Sequence, residues 1–468
     1  MKKRRGPPQQ ERTTGKGTLL KWISICCAVT LTFFLTVLAT AAIVRSAYIG
    51  GHILSRNQSR LTMSIAEFPA LIHDALVELS SQYSQDPTHL LLNKGNDAEY
   101  SSWVRKFPEP SDDGYLLLSG VDPKSKQSQV TLIRIADGHS IATWAPDWPT
   151  IYRMAGLSRS EIGHAQAIHP LLQDNGDIVF NTMGALLVRL SPCSSMPTWV
   201  LHMGASHSNE RDSTGNIWTV ASDENLVEFP QAKQLREPFT DNLLLLISPG
   251  GQVIRTFSFS KILHDNGMDA LLFGTAGDRP NPDQLHINEV QPAYSASKYW
   301  EVGDLLISAR NLSTVFLFRP SSGKILWHQT GPWLNQHSAQ FVDGHRISVF
   351  DNHAVPMSPT AFLTPLDLNH VVVHDFDTGA DSEPFSKLLE ESRPITPTEG
   401  RAQLLPDGGL FLEETDRGRI LRFTKDRLLW SFVNEYDSGR VGLVAWSRYL
   451  TPEEAQRTLT SLRTGTCH

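Results

Sequence analysis

Cysteine is scarce in this chain, and so are the signatures that cysteine would carry. Four of the 468 residues are cysteine. Cys26 and Cys27 are adjacent within an apolar run, which leaves Cys193 and Cys467 as the only other pair. In an oxidising compartment these two could bridge; two unpaired thiols are the equal alternative, because sequence does not give their separation. There is no CxxC, no His/Cys cluster at zinc spacing and no HExxH, all of which argue against a zinc site. A glycine-rich phosphate loop is also missing, so nothing points to a nucleotide donor. Basic charge is not in excess: 42 Lys and Arg stand against 49 Asp and Glu, for a net charge of −7. That balance gives no electrostatic footprint for a nucleic-acid partner. With 40% hydrophobic and 19% charged residues the chain can build a large core, which excludes wholesale disorder.

The N-terminus is the exception to the charge balance. Lys2, Lys3, Arg4, Arg5, Arg12, Lys16 and Lys21 face a single acid, Glu11, and are followed by 23 uncharged residues, 22–44. A run of that length spans a bilayer as a helix. A cleaved secretory signal, the alternative, has a shorter apolar core. The basic flank is expected to stay in the cytoplasm, which puts everything after the span on the other side, periplasmic or extracellular. Residues 1–21 then read as a cytoplasmic tail, 22–45 as a transmembrane signal-anchor helix, and 46–110 as a stalk and linker. Apolar residues at helical spacing (Ile65, Phe68, Leu71, Ile72, Leu76, Leu79) predict one amphipathic helix in the stalk.

From 111 to 468 the pattern is all-β. Short apolar runs alternate with Gly, Asn, Asp and Pro. Six runs open on a turn glycine (DDGYLLLSG, DNGDIVFNT, STGNIWTVA, VGDLLISARN, VDGHRISVFDN and PDGGLFLEE), and most are followed by a second hairpin. This spacing predicts a six-bladed β-propeller in which the glycine-led runs are the inner strands.

Histidine keeps step with this repeat. His169, His207 and His337 precede their turn glycines by seven, eight and seven residues; His286 reaches Gly303 through an insertion. One residue type at one phase of a radial repeat converges near the repeat axis. Arg401 holds the same phase in the last repeat, seven before Gly408, and Arg310 lies seven after Gly303. Asn288, Asn311 and Gln336 add amides. A mouth rich in imidazole and guanidinium suits a tetrahedral oxyanion, and a histidine facing electrophilic sulfur or phosphorus can act as nucleophile. A single propeller histidine at this phase is as readily a structural donor to the next blade. Four in phase, joined by an arginine, favour a site. A four-histidine metal centre is the competitor, and Arg310 in the cluster opposes it. A quinone-binding propeller is a third reading, without a vicinal-cysteine ring to support it. No cofactor and no metal are expected.

These residues carry a resemblance. The order His286-Ile287-Asn288, then Ser308-Ala309-Arg310-Asn311, then Gln336-His337 resembles the motif order of the PAPS-independent arylsulfate sulfotransferase (ASST-like) family, most specifically over 285–352. The resemblance implies that His337 is the nucleophile that becomes sulfated. It implies that Arg310, Asn288 and His286 hold the sulfuryl oxygens, with His207, or alternatively His169, as an earlier-blade member of the site. Thr398 would match a last-blade hydroxyl. Asn311 and Arg401 complete the expected set. The chain departs from the family in having Ser338, where an acid often follows the nucleophile. The implied partners are a small aryl sulfate donor and a phenolic acceptor. The alternative is a non-catalytic, membrane-anchored propeller that binds an anionic ligand or a protein. Nothing in the sequence gives the oligomeric state.

Overall fold

The computed structural model describes residues 15–49, 54–55, 57–59, 61–66, 68–69, 72, 90–93, 103–105, 112–157, 165–182, 185–192, 194–223, 240–274, 283–356 and 363–464. The chain divides into two compact units, 1–84 and 85–468.

The first unit contains one long helix, Gly15–Ile49, of 35 residues. At 1.5 Å per residue it is about 52 Å long. Its segment Lys21–Ala47 has a mean hydropathy of 2.3 and is long and apolar enough to cross a membrane. Trp22, Phe33, Phe34 and Leu35 are exposed along it, as a lipid-facing helix requires. Of the amphipathic helix expected in the stalk, residues 64–66, 68, 69 and 72 are helical, and the rest lies outside the described residues. Cys193 and Cys467 lie outside them as well.

The second unit is all-β and propeller-like. Three four-stranded sheets and one five-stranded sheet are accompanied by a seven-stranded sheet and two short two-stranded pairs. Six separate blades, the sequence expectation, are therefore not what the strand pairing gives. The difference lies in one strand, Pro197–Arg211, of 15 residues. It pairs with Ala185–Leu190 on one side and with Ile217–Asp223 on the other, and Ala205 is a partner in both ladders. A continuous strand there leaves one sheet where a turn would leave two.

A second correction concerns which strand is innermost. The glycine-led runs form Ile178–Asn181, Ile217–Asp223, Leu305–Ala309, Arg346–Asp351 and Leu410–Glu414, and each is the second strand of its unit. The strands just before them, Ile168–Leu172, Pro197–Arg211, Ile287–Pro292, His337–Phe341 and Arg401–Leu404, pack successively on one another and form the inner ring. His169, His286 and His337 stand at the starts of three of these strands, and His207 lies within Pro197–Arg211. The turn glycines still earn their place between the two strands: φ is +90° at Gly176, +88° at Gly215, +87° at Gly303 and +77° at Gly408, a region open to glycine.

The ring closes between chain ends. Arg448–Leu450 pairs antiparallel with Tyr115–Asp122, Arg448 opposite Leu117 and Leu450 opposite Tyr115. This joins a C-terminal strand to the first sheet and removes two open edges. The stretch expected to be linker also contributes strands. Leu91–Asn93 pairs with Arg440–Gly442, and Trp103–Arg105 pairs with Leu428–Val433. Trp103 explains the second pairing, because its ring packs edge-on against Trp430 at 5.3 Å and against Phe432 at 4.8 Å.

The core lies between neighbouring sheets. One cluster joins Trp218, Val220 and Leu244 to Leu305, Ile307 and Phe316, with Phe259 between them. Each such large side chain contributes on the order of 2 kcal/mol by leaving water. Phe259 enters this cluster from a short helix, Phe259–Asp265, whose first turn is capped by the Ser258 side chain on the Lys261 amide. These layers hold the inner strands in a fixed register, and that register positions the histidines.

Candidate active site

The backbone bends where the inner strands start. His169, Ser208, His286, Ser338 and Glu399 all have positive φ, between +47° and +52°. Left-handed backbone is costly for residues other than glycine and persists where the surroundings enforce it. Four of the five bends coincide with an irregularity in pairing, between Ile168 and Leu171, His207 and Asn209, Ile287 and Glu289, and His337 and Gln340. A bulge at a strand end re-aims the side chains beside it. Here it turns imidazoles from successive strands toward a common space.

His337 is fully buried. Its Nδ1 lies 2.6 Å from Asn352 Oδ1. The Asn352 amide nitrogen donates to the carbonyls of Thr396 (2.9 Å) and Glu399 (2.8 Å), which leaves its oxygen facing the histidine. Nδ1 of His337 must therefore carry the proton, and Nε2 holds the lone pair. That Nε2 is buried and has no hydrogen-bond partner. Burial holds the His337 pKa well below its ordinary value, and nearby Arg310 lowers it further. The result is a neutral imidazole with an oriented, unoccupied nitrogen.

His286 is organised in the same way by a carboxylate. Its Nδ1 is hydrogen-bonded to Asp283, and its Nε2 is buried without a partner. Burial lowers its pKa, while the Asp283 bond acts in the opposite direction. Arg310 begins a short 3-10 turn after Leu305–Ala309, and its amide bonds the His286 carbonyl at 3.1 Å. Asn311 locks the group: its oxygen accepts from Arg310 Nε at 3.1 Å, and its nitrogen donates to the Asp283 carbonyl at 2.5 Å. Asn311 thus aims the guanidinium. Burial pulls the Arg310 pKa down, and Asp283 and Glu399 oppose that.

The earlier histidines complete an imidazole row. The ring centroids of His207 and His286 are 5.1 Å apart, and those of His169 and His207 are 5.6 Å apart. Burial lowers both pKa values strongly, followed by the charge of His286 on His207 and of His207 on His169. His207 Nδ1 has no partner. His169 Nδ1 accepts from the Ser208 amide at 3.1 Å, and its carbonyl accepts from Asn209 at 2.9 Å, so His169 also stitches two inner strands together.

The remaining expected residues are placed differently. Asn288 is buried, and its nitrogen donates to the Gln336 carbonyl at 2.8 Å, with Oδ1 left unpaired. Gln336 spends its own nitrogen on Ser308, Ala309 and Thr314. The Thr398 hydroxyl donates to Asp416 at 3.0 Å. Ser338 ties its strand to the next, its hydroxyl donating to the Ala402 carbonyl at 3.1 Å. Arg401 stacks on Trp446, 5.7 Å from the ring centroid, and lines a cavity with Glu210 and Arg448.

Three site residues escaped sequence reasoning: Asp283, Asn352 and Trp446. Trp446 packs against His169 at 4.2 Å and His337 at 6.2 Å. Asn352 had a usable signal. The second strands end in polar pairs at one phase, Asn181-Thr182, Arg310-Asn311, Asp351-Asn352 and Glu414-Thr415. Only the Arg310 pair was read from it. The pKa of Glu399 is pushed up to about 8 by burial and by Asp416 and Glu413, with Arg310 opposing.

The arrangement has one fixed cation, three histidines with an unpaired nitrogen, and polar residues that hold their rings in place. It can present a nucleophilic nitrogen to an electrophile, and a guanidinium to the charge on that electrophile. Among the described residues, the group whose ligand atoms lie within 4.8 Å of one another is His345, Asp375 and Asp377, separate from this cluster.

No curated protein sequence matches the chain. Similar solved structures include a protein of unknown function from Bacteroides caccae, at 12% identity and a TM-score of 0.45, covering 72% of this chain and 99% of that one. TolB from Acinetobacter baumannii is 10% identical with a TM-score of 0.41, covering 73% and 68%. Virginiamycin B lyase from Staphylococcus aureus is 11% identical with a TM-score of 0.35, covering 71% and 83%. The family profile Arylsulfotransferase (ASST) matches residues 170–435, a stretch that contains His207, His286, Arg310, His337 and Asn352. By that match over more than half its length, the chain belongs to the arylsulfotransferase (ASST) family.

Proposed function

We propose that this protein is a PAPS-independent aryl-sulfate sulfotransferase that works by a ping-pong mechanism through a sulfohistidine at His337. One observation carries the reading: His337 Nε2 is buried and unpaired, while Asn352 holds the proton on Nδ1. In the first half-reaction the Nε2 lone pair attacks sulfur of an aryl sulfate. The N–S bond forms, the S–O bond to the phenol breaks, and the phenol oxygen leaves with the electron pair. Arg310, held by Asn311, faces the charge on the sulfuryl oxygens. His286 and its partner Asp283 are the pair suited to carry a proton to that oxygen, with His207 next to them. In the second half-reaction a phenolic acceptor attacks sulfur, the N–S bond breaks with its electron pair returning to His337 Nε2, and the acceptor proton passes to His286, which replaces the one given up in the first half-reaction. Asn288 Oδ1 and His169 border this space in the proposal and contribute shape more than charge. No nucleotide is needed, because a phenolate is already a good leaving group.

The wider architecture belongs to the same reading. The seven-stranded sheet counts as two blades that share Pro197–Arg211, which makes six units around the ring. Residues 22–45 anchor the protein, the basic tail 1–21 stays cytoplasmic, and the propeller faces the periplasm or the exterior.

The test is to incubate the full chain with a chromogenic aryl sulfate and no acceptor, then measure peptide masses. The expected result is one sulfuryl group on the peptide holding His337, lost on adding a phenol. His337→Ala should abolish both adduct and transfer. Normal transfer by that variant would overturn the assignment.

A further inference from the structure

A second charged cavity lies a few residues further along the inner strands than the histidines. All inner strands leave the histidine cluster in the same direction, and each residue advances about 3.3 Å. Their downstream residues, among them Leu171, Glu210, Gln340, Gln403 and Leu450, line a cavity of about 200 Å³ together with Arg401 and Arg448. A space of that size holds a small organic molecule with its waters.

The charges in this cavity are unequally partnered. Arg448 is fully engaged: Nε donates to the Pro170 carbonyl at 2.6 Å, Nη2 to the Asn209 carbonyl at 2.7 Å, and Nη1 pairs with Glu210 at 2.9 Å. Asp174 is held by Arg211 at 2.8 Å and Arg457 at 3.0 Å, and Glu454 accepts from the Thr451 amide at 2.8 Å. Arg401 is different. Its side chain is 4% exposed, its nearest carboxylate oxygen is on Glu210 at 3.9 Å, and neither Nε nor Nη1 has a hydrogen-bond partner. Glu210 pairs closely with Arg448, and Arg401, which feels the charges of Glu210, Glu289 and Glu413, has no hydrogen bond at Nε or Nη1. A buried charge of this kind is costly unless something pairs with it. Leu171 and Leu450 supply an apolar wall beside it.

We propose that this cavity binds a small organic carboxylate, with its head group accepting hydrogen bonds from Arg401 and its apolar body against Leu171 and Leu450. The site is separate from the histidine cluster but adjoins it. Arg401 stacks on Trp446, and Trp446 touches His169. It does not depend on the transfer reaction proposed above.

Isothermal titration calorimetry of the full chain in detergent tests this, with sodium acetate, propionate and benzoate as probes and sodium chloride holding ionic strength constant. The expected result is saturable binding of at least one acid, no binding of benzamide, and a Kd raised at least about tenfold in Arg401→Gln. Near-UV circular dichroism checks the fold of that variant. Leu450→Phe, which fills the cavity and keeps the arginine, should lose binding too. His337→Ala should retain it, which separates this site from the histidine mouth. Absence of saturable heat for all three acids, or unchanged binding in both folded Arg401→Gln and Leu450→Phe, would overturn the proposal.

Discussion

Asn352 is the residue on which the chemistry of His337 depends, because it selects the tautomer. Replacing it by Leu removes the acceptor for Nδ1–H and frees the ring to rotate. The expected loss in kcat is roughly 10- to 100-fold with the fold intact, measured on the aryl sulfate assay. Asn352→Asp places a carboxylate at the same nitrogen. That favours imidazolium and raises the His337 pKa, so the acid limb of the kcat/KM profile should move to higher pH. An unmoved limb would mean that Asn352 serves packing alone. Glu399 makes a prediction of the opposite kind, about stability. Its carboxyl is pushed from 4.5 up to about 8. Between those values the folded state keeps a proton that the unfolded state has released, so the protein loses stability as pH rises through the window. Glu399→Gln does not titrate. Its stability relative to the parent should grow by roughly 1 kcal/mol per pH unit between about pH 5 and about pH 7.5, read from urea midpoints. A constant gap would place the carboxyl at its ordinary value. The buried histidines act with the reverse sign: their lowered pKa values cost stability as pH falls below 6.5.

At the scale of elements, each inner strand performs two tasks. Its first residues are bent and present chemistry; the residues after them carry the ladder and the core. Ser338 shows the coupling, since it has a φ of +47°, follows His337 and bonds across to Ala402. The closing strand Arg448–Leu450 matters most for integrity, because it pairs with Tyr115–Asp122 while Arg448 bridges Pro170, Asn209 and Glu210. Deleting residues 446–464 should leave the edge of Tyr115–Asp122 open and abolish the cooperative thermal transition. Limited proteolysis should then cut within 112–157, which stays protected in the intact chain. A sharp, unshifted transition in the truncated protein would show that closure is not needed for folding.

At the scale of the whole molecule, the helix Gly15–Ile49 is long and apolar enough to cross a membrane, and that sets a test. The full chain should sediment with membranes and resist alkaline carbonate, but dissolve in detergent, whereas a chain starting at residue 46 should remain in the aqueous phase. Release of the full chain by carbonate would exclude a span. Sulfuryl transfer without a nucleotide fits the compartment proposed for the propeller, where nucleotide donors are not supplied by the cytoplasm.

Much of this protein follows from local pattern. The apolar run, the all-β character and the phase of His169, His207, His286 and His337 are sequence properties, because hydrophobic length and turn chemistry act over a few residues. The order His286, Arg310, His337 already pointed to the family. Other features depended on tertiary structure. Strand rank is one: a turn glycine marks a hairpin but does not say which of its strands faces the axis, and the inner strand is the one before the glycine. Continuity of Pro197–Arg211 is another, since a bulge at Ala205 and a chain break look alike in sequence. Arg401 shared the histidine phase yet lies on Trp446 beside Arg448, because side-chain direction is set by packing against a strand some 45 residues away. Asn352 and Trp446 joined the site for the same reason, since their contacts to the histidines are made across the folded ring, whereas Asp283 reaches His286 only three residues along the chain.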